Sequence, residues 1–147
     1  MISLTYPYIP PSLNATYKVG KWGSFYKDEK AVAFKEDFIS WAKEHWFEEI
    51  NKVKRDTYDV FHLHINFYFH KADLINERYG KDKRIKSPYK RLDLDNRIKT
   101  LQDCLSGVLG IDDTRIFSLS CNKLVDRDER IEIYLEKVSI SDYVEQG

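Results

Sequence analysis

Residues 90–113 read KRLDLDNRIKTLQDCLSGVLGIDD, a helix-forming run framed by two pairs of aspartates. Asp93 and Asp95 follow two basic residues, and Asp112 and Asp113 close the stretch. Carboxylates that converge without a cation oppose one another's ionisation. We therefore predict that these aspartates converge on a divalent metal and that the neighbouring basic residues contact phosphate.

The middle of this stretch has the period of an amphipathic helix. Its apolar residues recur at spacings of three, four and three: Ile98, Leu101, Leu105 and Val108. Asp95, Lys99 and Asp103 share an adjacent face, at successive steps of four. A purely structural role for Asp95 is to cap the helix N-terminus. That role does not explain Asp93, because on an extended backbone Asp93 and Asp95 point to the same side.

Length and composition predict one globular domain over residues 1–147. The hydrophobic content is 42%, and 24 basic residues balance 24 acidic ones. Neutrality argues against a protein that coats nucleic acid along its whole surface. Cys104 and Cys121 have no metal-ligand spacing, so we expect buried, reduced thiols in a cytoplasmic protein. The sequence has no apolar run of membrane-spanning length, and no membrane partner is expected.

A long polar connection over residues 71–91 carries one local basic patch. Asp82 is the single acidic residue among the six basic ones, which are Lys81, Lys83, Arg84, Lys86, Lys90 and Arg91. Structureless connections of this length are uncommon in compact domains and are often functional. The patch is suited to phosphate, although a solvated surface loop explains the charge equally well.

The remaining patterns predict an α+β (α/β) fold, with a small mixed sheet of about four strands and two main helices packed on it. The expected strands are 2–9, 58–70, 116–125 and 130–138, and the last two are expected to form a hairpin. The other main helix is expected to run from an N-cap at Asp28 to about Val53. The tail after Ser139 is expected to fray.

Histidines are concentrated on one face of the strand over 58–70. His62, His64 and His70 share that face, but alternate residues on a strand lie about 7 Å apart, which is awkward for three ligands to one ion. We therefore do not predict a metal site made of these histidines. His70 is the exception of interest, because it ends the strand close in sequence to the acidic stretch. His45 continues the apolar stripe of the first helix and is expected to be partly buried.

The acidic stretch resembles the core motif of the RusA family of Holliday junction resolvases. The resemblance includes the basic lead-in, Asp-Leu-Asp-Asn, a lysine four residues later, a later Asp-x-Leu and the closing Asp-Asp. The turn Pro10-Pro11-Ser12 with Asn14 resembles that family's N-terminus. The order of the elements also resembles that family over nearly the whole chain.

This resemblance implies a RusA-like, Mg²⁺-dependent homodimeric endonuclease of DNA recombination and repair that cuts four-way junctions. It implies that Asp93, Asp95 and Asp113 are the essential metal-binding carboxylates and that Lys99 is the catalytic lysine. Asp103 and Asp112 match motif positions of supporting rank. The expected DNA-binding residues are Asn14, Lys83, Arg84, Lys86, Lys90 and Arg91.

The place of Asp113 depends on where the helix ends. A helix from Asn96 to Gly107 is about 18 Å long, and six extended residues reach back at most about 20 Å. If the helix runs to Leu109, only four residues remain, and they span at most about 14 Å. Asp113 would then complete the site of a partner subunit, unless the ligands approach from the side.

Two other functions fit the same residues. One is a metal nuclease of the same chemistry that acts on another branched or single-stranded DNA. The other is a non-catalytic nucleic-acid-binding module, in which the aspartates are caps and surface charges. A binding module has no need of Asp93, Asp95, Lys99 and Asp113 together, so the set favours catalysis.

Overall fold

The computed structural model describes residues 1–10, 17–19, 25–27, 29–54, 59–90, 92 and 94–144. The predicted roles of Asn14, Asp28, Arg91 and Asp93 therefore lie outside the described residues. None of the helices in the described ranges is long and apolar enough to cross a membrane.

The strands are β1 Ile2–Tyr6, β2 Tyr17–Val19, β3 Phe25–Lys27, β4 Val60–Phe69, β5 Ile116–Val125 and β6 Arg130–Val138. The helices are α1 Glu29–His45, α2 Phe47–Lys54, α3 Lys71–Leu74 and α4 Asp95–Leu109.

The main sheet is mixed and has the strand order β1-β6-β4-β5, which confirms the predicted α+β class. β4 pairs in parallel with β5 and antiparallel with β6. The predicted hairpin of β5 and β6 is therefore wrong, because β4 lies between them. β4 takes the central place because its alternate residues Leu63, Ile65 and Phe67 are at most 2% exposed and need cover from neighbours. β2 and β3 form a separate antiparallel pair.

The helices α1 and α4 pack on one face of the sheet, and their apolar residues complete the core. The predicted first helix is two helices, because Trp46 interrupts it and turns its ring into the core, 5.3 Å from the ring centre of Phe38. His45 is exposed, contrary to the expectation, and stacks on Trp41 with ring centres 3.7 Å apart.

Helix α4 ends where Gly110 adopts the left-handed conformation, with φ of 68°, and bonds back to the Ser106 carbonyl. A glycine is favoured at such a C-cap because it has no Cβ to clash. The predicted apolar stripe is confirmed at Leu101, Leu105 and Val108, which are buried. Asp95 is not the N-cap: it is the first helical residue, and Leu94 precedes it without a side-chain cap.

Neither cysteine is in a disulfide. Cys104 is buried in the core, as expected, whereas Cys121 on β5 is only partly buried. Burial nevertheless raises the pKa of the Cys121 thiol to about 11, so the reactive thiolate is scarce at neutral pH.

The other face of the sheet is polar, and none of the α-helices in the described ranges packs on it. The described part of the tail, residues 140–144, folds back on this face rather than fraying, with a 3₁₀ turn over Ile140–Asp142. The Tyr143 hydroxyl then bonds a ring nitrogen of His62, and its ring packs edge-on against Phe117.

A charged network on the same face surrounds Glu132. Its carboxylate accepts hydrogen bonds from Tyr134 at 2.8 Å, Arg130 at 3.0 Å and Tyr68 at 3.2 Å. The Arg130 guanidinium also lies 3.8 Å from the centre of the Tyr68 ring. Burial alone would raise the pKa of Glu132, but these three hydrogen bonds outweigh it and lower that pKa.

We expect Glu132→Gln to lower the free energy of unfolding by about 1–2 kcal/mol at pH 7, because a charge-assisted network loses its anion. Because the pKa of Glu132 is lower in the folded state, its ionised carboxylate stabilises the fold at pH values above the unfolded pKa. That stabilisation is lost as the pH falls through the folded pKa. The difference from wild type should therefore shrink in acid. Urea unfolding at pH 7 and pH 4 measures both effects. Glu136→Gln, on the same strand but more exposed, is the control; an equal loss there contradicts the prediction.

Candidate metal and DNA site

The N-terminus of α4 lies at the sheet edge where β4 and β5 end. The guanidinium carbon of Arg97 is 5.7 Å from the centre of the Phe69 ring, at the end of β4. The Lys123 ammonium, near the end of β5, donates to the Leu92 carbonyl at 3.3 Å. These contacts place Asp95 at the end of the sheet where β4 and β5 finish. We call this end the carboxyl edge, because both strands have their C-terminal ends there.

Asp95, Lys99 and Asp103 are exposed along one side of α4, as the spacing predicts. Neither Asp95 nor Lys99 forms an ion pair with any residue that the structure describes. Asp95 is therefore a carboxylate open to solvent, with a lysine one turn away, and this combination suits a hydrated Mg²⁺ and a phosphate.

Arg97 is a residue of this edge that the sequence reasoning missed. It is 7% exposed and continues the buried stripe of α4 toward its N-terminus. The sequence signal was the position of Arg97 four residues before Leu101, which places it on the apolar face of the helix. A charged residue on such a face is rarely buried unless it has a partner.

Asp112 and Asp113 lie at the opposite edge of the sheet. The Asp112 carboxylate accepts from the Thr114 amide at 3.2 Å and caps a 3₁₀ turn over Asp113–Arg115. The next residue, Ile116, pairs with Phe61 near the start of β4. Asp112 thus has a local structural role, and Asp113 is exposed at the edge where β4 and β5 begin.

The two edges are too far apart for one chain to bring Asp95 and Asp113 to one ion. Helix α4 has 15 residues and runs to Leu109, so it spans about 21 Å. Four residues then lead to Asp113 and reach at most about 14 Å. They lead into a strand whose first residue pairs with Phe61, and Phe61 is separated by about 26 Å of strand from Phe69 at the carboxyl edge. Oxygen ligands of Mg²⁺ lie about 2.1 Å from the ion, so same-chain convergence does not fit this geometry.

The connection over residues 71–90 is an ordered loop rather than a structureless one. It begins with α3, and Ile75 and Tyr89 form a β-bridge that closes its base. The Asn76 side chain donates to the Ser87 carbonyl at 2.8 Å. The turn at the tip includes Gly80, whose φ of 86° few other residues adopt.

The basic side chains at the loop tip differ in what they contact. Arg84 bonds Asp82 with a closest distance of 2.9 Å, and those bonds lower the pKa of the Asp82 carboxyl. Lys81, Lys83, Lys86 and Lys90 are exposed and form no ion pair among the described residues. The patch therefore offers four lysines to an anion, with Arg84 partly neutralised.

One further group of potential metal ligands lies at the carboxyl edge. His70, Asp73 and Glu129 bring one ligand atom each within 4.8 Å of one another. Sequence reasoning singled out His70 but missed the other two, which come from α3 and from the turn between β5 and β6.

The start of α4 thus presents an exposed carboxylate and an exposed lysine, and a loop with exposed lysines precedes it in the chain. The family model described as endodeoxyribonuclease RusA matches residues 7–136, and the chain belongs to this family. The protein is accordingly an endonuclease of a DNA-recombination family. None of the curated proteins matches the chain.

Proposed function

We propose that the protein is a cytoplasmic, Mg²⁺-dependent homodimer that resolves four-way DNA junctions in recombination and repair, by paired hydrolysis of phosphodiesters. The observation that carries this proposal is the exposed pair of Asp95 and Lys99 at the carboxyl edge, in a chain of the RusA family. The neighbouring Asp93 is assigned with them from the sequence motif.

Each of these residues has a role in the proposed chemistry. Asp93 and Asp95 of one chain, with Asp113 of a second, would hold Mg²⁺. The ion when bound supplies Lewis acidity and a water of lowered pKa. Lys99 lies one turn after Asp95, where its ammonium can offset negative charge that develops on the phosphate. Asp103, two turns after Asp95 on the same side, extends the acidic surface and ranks as supporting.

The edge strand β5 supports a second copy as the source of Asp113. β5 has ten residues, and the described strands pair with it on one side only. Phe117, Leu119 and Val125 on it are 45–53% exposed, and a long edge strand with exposed apolar residues is a template for pairing with another chain. A second β5 pairing antiparallel would cover this strand and satisfy its outward backbone groups.

The same pairing would bring the distant carboxylates together. In an antiparallel pair of identical strands, the start of each strand lies beside the end of the other. Asp113 precedes β5 by three residues, so Asp113 of the second copy would approach the carboxyl edge of the first. That edge carries Asp95. The pairing yields two equivalent sites, as two symmetric incisions require.

Cleavage of synthetic DNA with and without Mg²⁺ tests the proposal. We expect a four-way junction to be cut in a pair of strands when Mg²⁺ is present, with linear duplex and single strands left intact. Equal cutting of other branched or single-stranded DNA would point to a less selective nuclease. Binding without cleavage at any Mg²⁺ concentration would point to a non-catalytic DNA-binding module.

The basic loop should contribute salt-dependent affinity for junctions. Replacing Lys83 and Lys86 by Gln should weaken binding. It should also reduce the slope of log affinity against log salt concentration by up to about 2, because each neutralised phosphate adds roughly 0.9 to that slope. Arg84→Gln should change the slope less, because Asp82 already pairs with it. Anisotropy titrations at several salt concentrations measure both effects.

The matched control for the loop is Lys52→Gln and Lys54→Gln on α2, which removes the same charge from another part of the surface. An unchanged slope in the Lys83 and Lys86 variant, or an equal change in the α2 variant, would mean that the loop does not contact phosphate.

A further inference from the structure

We propose that His70, Asp73 and Glu129 bind a second divalent ion, a first-row transition metal of the Zn²⁺ type, separate from the catalytic Mg²⁺. Three elements supply the ligands: the end of β4, helix α3 and the turn before β6. Ligands around a tetrahedral Zn²⁺ lie about 3.4 Å apart, given bond lengths near 2.1 Å. The atoms here lie within 4.8 Å of one another, so small side-chain rotations complete the site.

The hydrogen bonding of His70 is that of a metal ligand. Its Nε2 lies 2.8 Å from the Arg127 carbonyl oxygen, which can only accept, so Nε2 carries a hydrogen and donates it. In the neutral ring this leaves the lone pair on Nδ1, which lies 3.6 Å from a Glu129 oxygen. A divalent ion placed between these two acceptors would satisfy both of them. Metal-bound histidines commonly donate their other nitrogen to a backbone carbonyl in this way.

Nearby cations do not neutralise the two carboxylates. Arg130, the closest arginine in sequence to Glu129, pairs instead with Asp126 at 3.2 Å and with Glu132 at 3.0 Å. Among the described residues, no lysine or arginine forms an ion pair with Asp73 or Glu129. The group therefore offers two negative charges and one imidazole to a cation.

The donor set selects the kind of metal. Mg²⁺ prefers oxygen ligands alone, whereas imidazole with carboxylates suits Zn²⁺ and related ions. Three protein ligands leave a fourth position for water or for a phosphate oxygen. An ion here would tie α3, which begins the basic loop, to the end of β4 and the turn before β6. It would thereby hold the base of that loop at the carboxyl edge.

Titration of the metal-free full-length protein with Zn²⁺, in excess Mg²⁺, tests the inference by calorimetry. We expect one Zn²⁺ per chain in the wild type and an affinity at least tenfold lower in His70→Gln and in Glu129→Gln. Zn²⁺ should also raise the Tm of the wild type but not of these variants. A shift of the His70 Nδ1 resonance on adding Zn²⁺ would identify the coordinating atom.

Asp128→Asn is the matched control, because it changes the same charge in the same turn outside the group. Wild-type affinity in this variant supports the site. Absence of Zn²⁺ binding by the wild type would overturn the inference. Binding that survives in His70→Gln and Glu129→Gln, or that Asp128→Asn weakens as much, would also overturn it. Since no outcome depends on cleavage, this test is independent of the proposed nuclease activity.

Discussion

Asp95→Asn is expected to reduce junction cleavage by at least about 100-fold while junction binding stays intact or becomes tighter. Loss of a metal ligand removes several kcal/mol of transition-state stabilisation, and each 1.36 kcal/mol is tenfold in rate. Binding should not suffer, because the substitution removes a negative charge that repels phosphate. Single-turnover cleavage and anisotropy binding, measured on the same junction, separate the two effects.

The fold should survive this change. Asp95 is exposed, and its side chain does not cap α4, so the free energy of unfolding should stay within about 0.5 kcal/mol of the wild type. Glu44→Gln on the exposed side of α1 is the matched control and should cleave normally. Retained cleavage by Asp95→Asn would refute its metal role, whereas weakened binding would mean that it positions DNA instead.

A mixed dimer of Asp95→Asn and Asp113→Asn chains is expected to regain cleavage that both parent homodimers lack. If each site takes Asp95 from one chain and Asp113 from the other, one site of the mixed dimer carries both substitutions and the other carries neither. The intact site should nick one strand of the junction. Differently tagged chains, co-expressed and purified through both tags, provide the mixed dimer, and denaturing gels distinguish single nicks from paired incisions.

The control for this experiment pairs Asp95→Asn with Lys99→Gln. Both residues lie on α4 of the same chain, so each site of that mixed dimer carries one defect and should stay inactive. Rescue in the Asp113 pairing alone therefore identifies a site shared between two chains. Inactivity of both mixed dimers would mean that the aspartates do not combine across subunits, and the proposed pairing of two β5 strands would be rejected.

Much of the fold was predictable because local periods report burial. The alternation in β4 marks Leu63, Ile65 and Phe67 as core, and the stripe in α4 marks Leu101 and Leu105; all five are buried. The expectations that were wrong involve choices between competing contacts. His45 fits the period of α1 but stacks on Trp41, because Trp46 occupies the core position.

The candidate site was predictable only in part. The four-residue step places Asp95 and Lys99 on one exposed helix face, because helix geometry is local. Asp113 could be placed only once the helix end and the strand order were known. Asp73 and Glu129 had no signal in the sequence, since their approach to His70 depends on where α3 and the turn before β6 meet the end of β4.

The sequence by itself determined the amphipathic elements, the exposed acidic and basic residues at the start of α4 and the basic patch of the long loop. These follow from spacing along a helix or strand, and from turn chemistry within a few residues. The tertiary structure alone decided that β4 separates β5 from β6, that Asp95 and Asp113 lie at opposite sheet edges, and that His70 meets two distant carboxylates. The physical reason is that strand order and the meeting of distant segments depend on burying apolar faces from the whole chain, which no local pattern records.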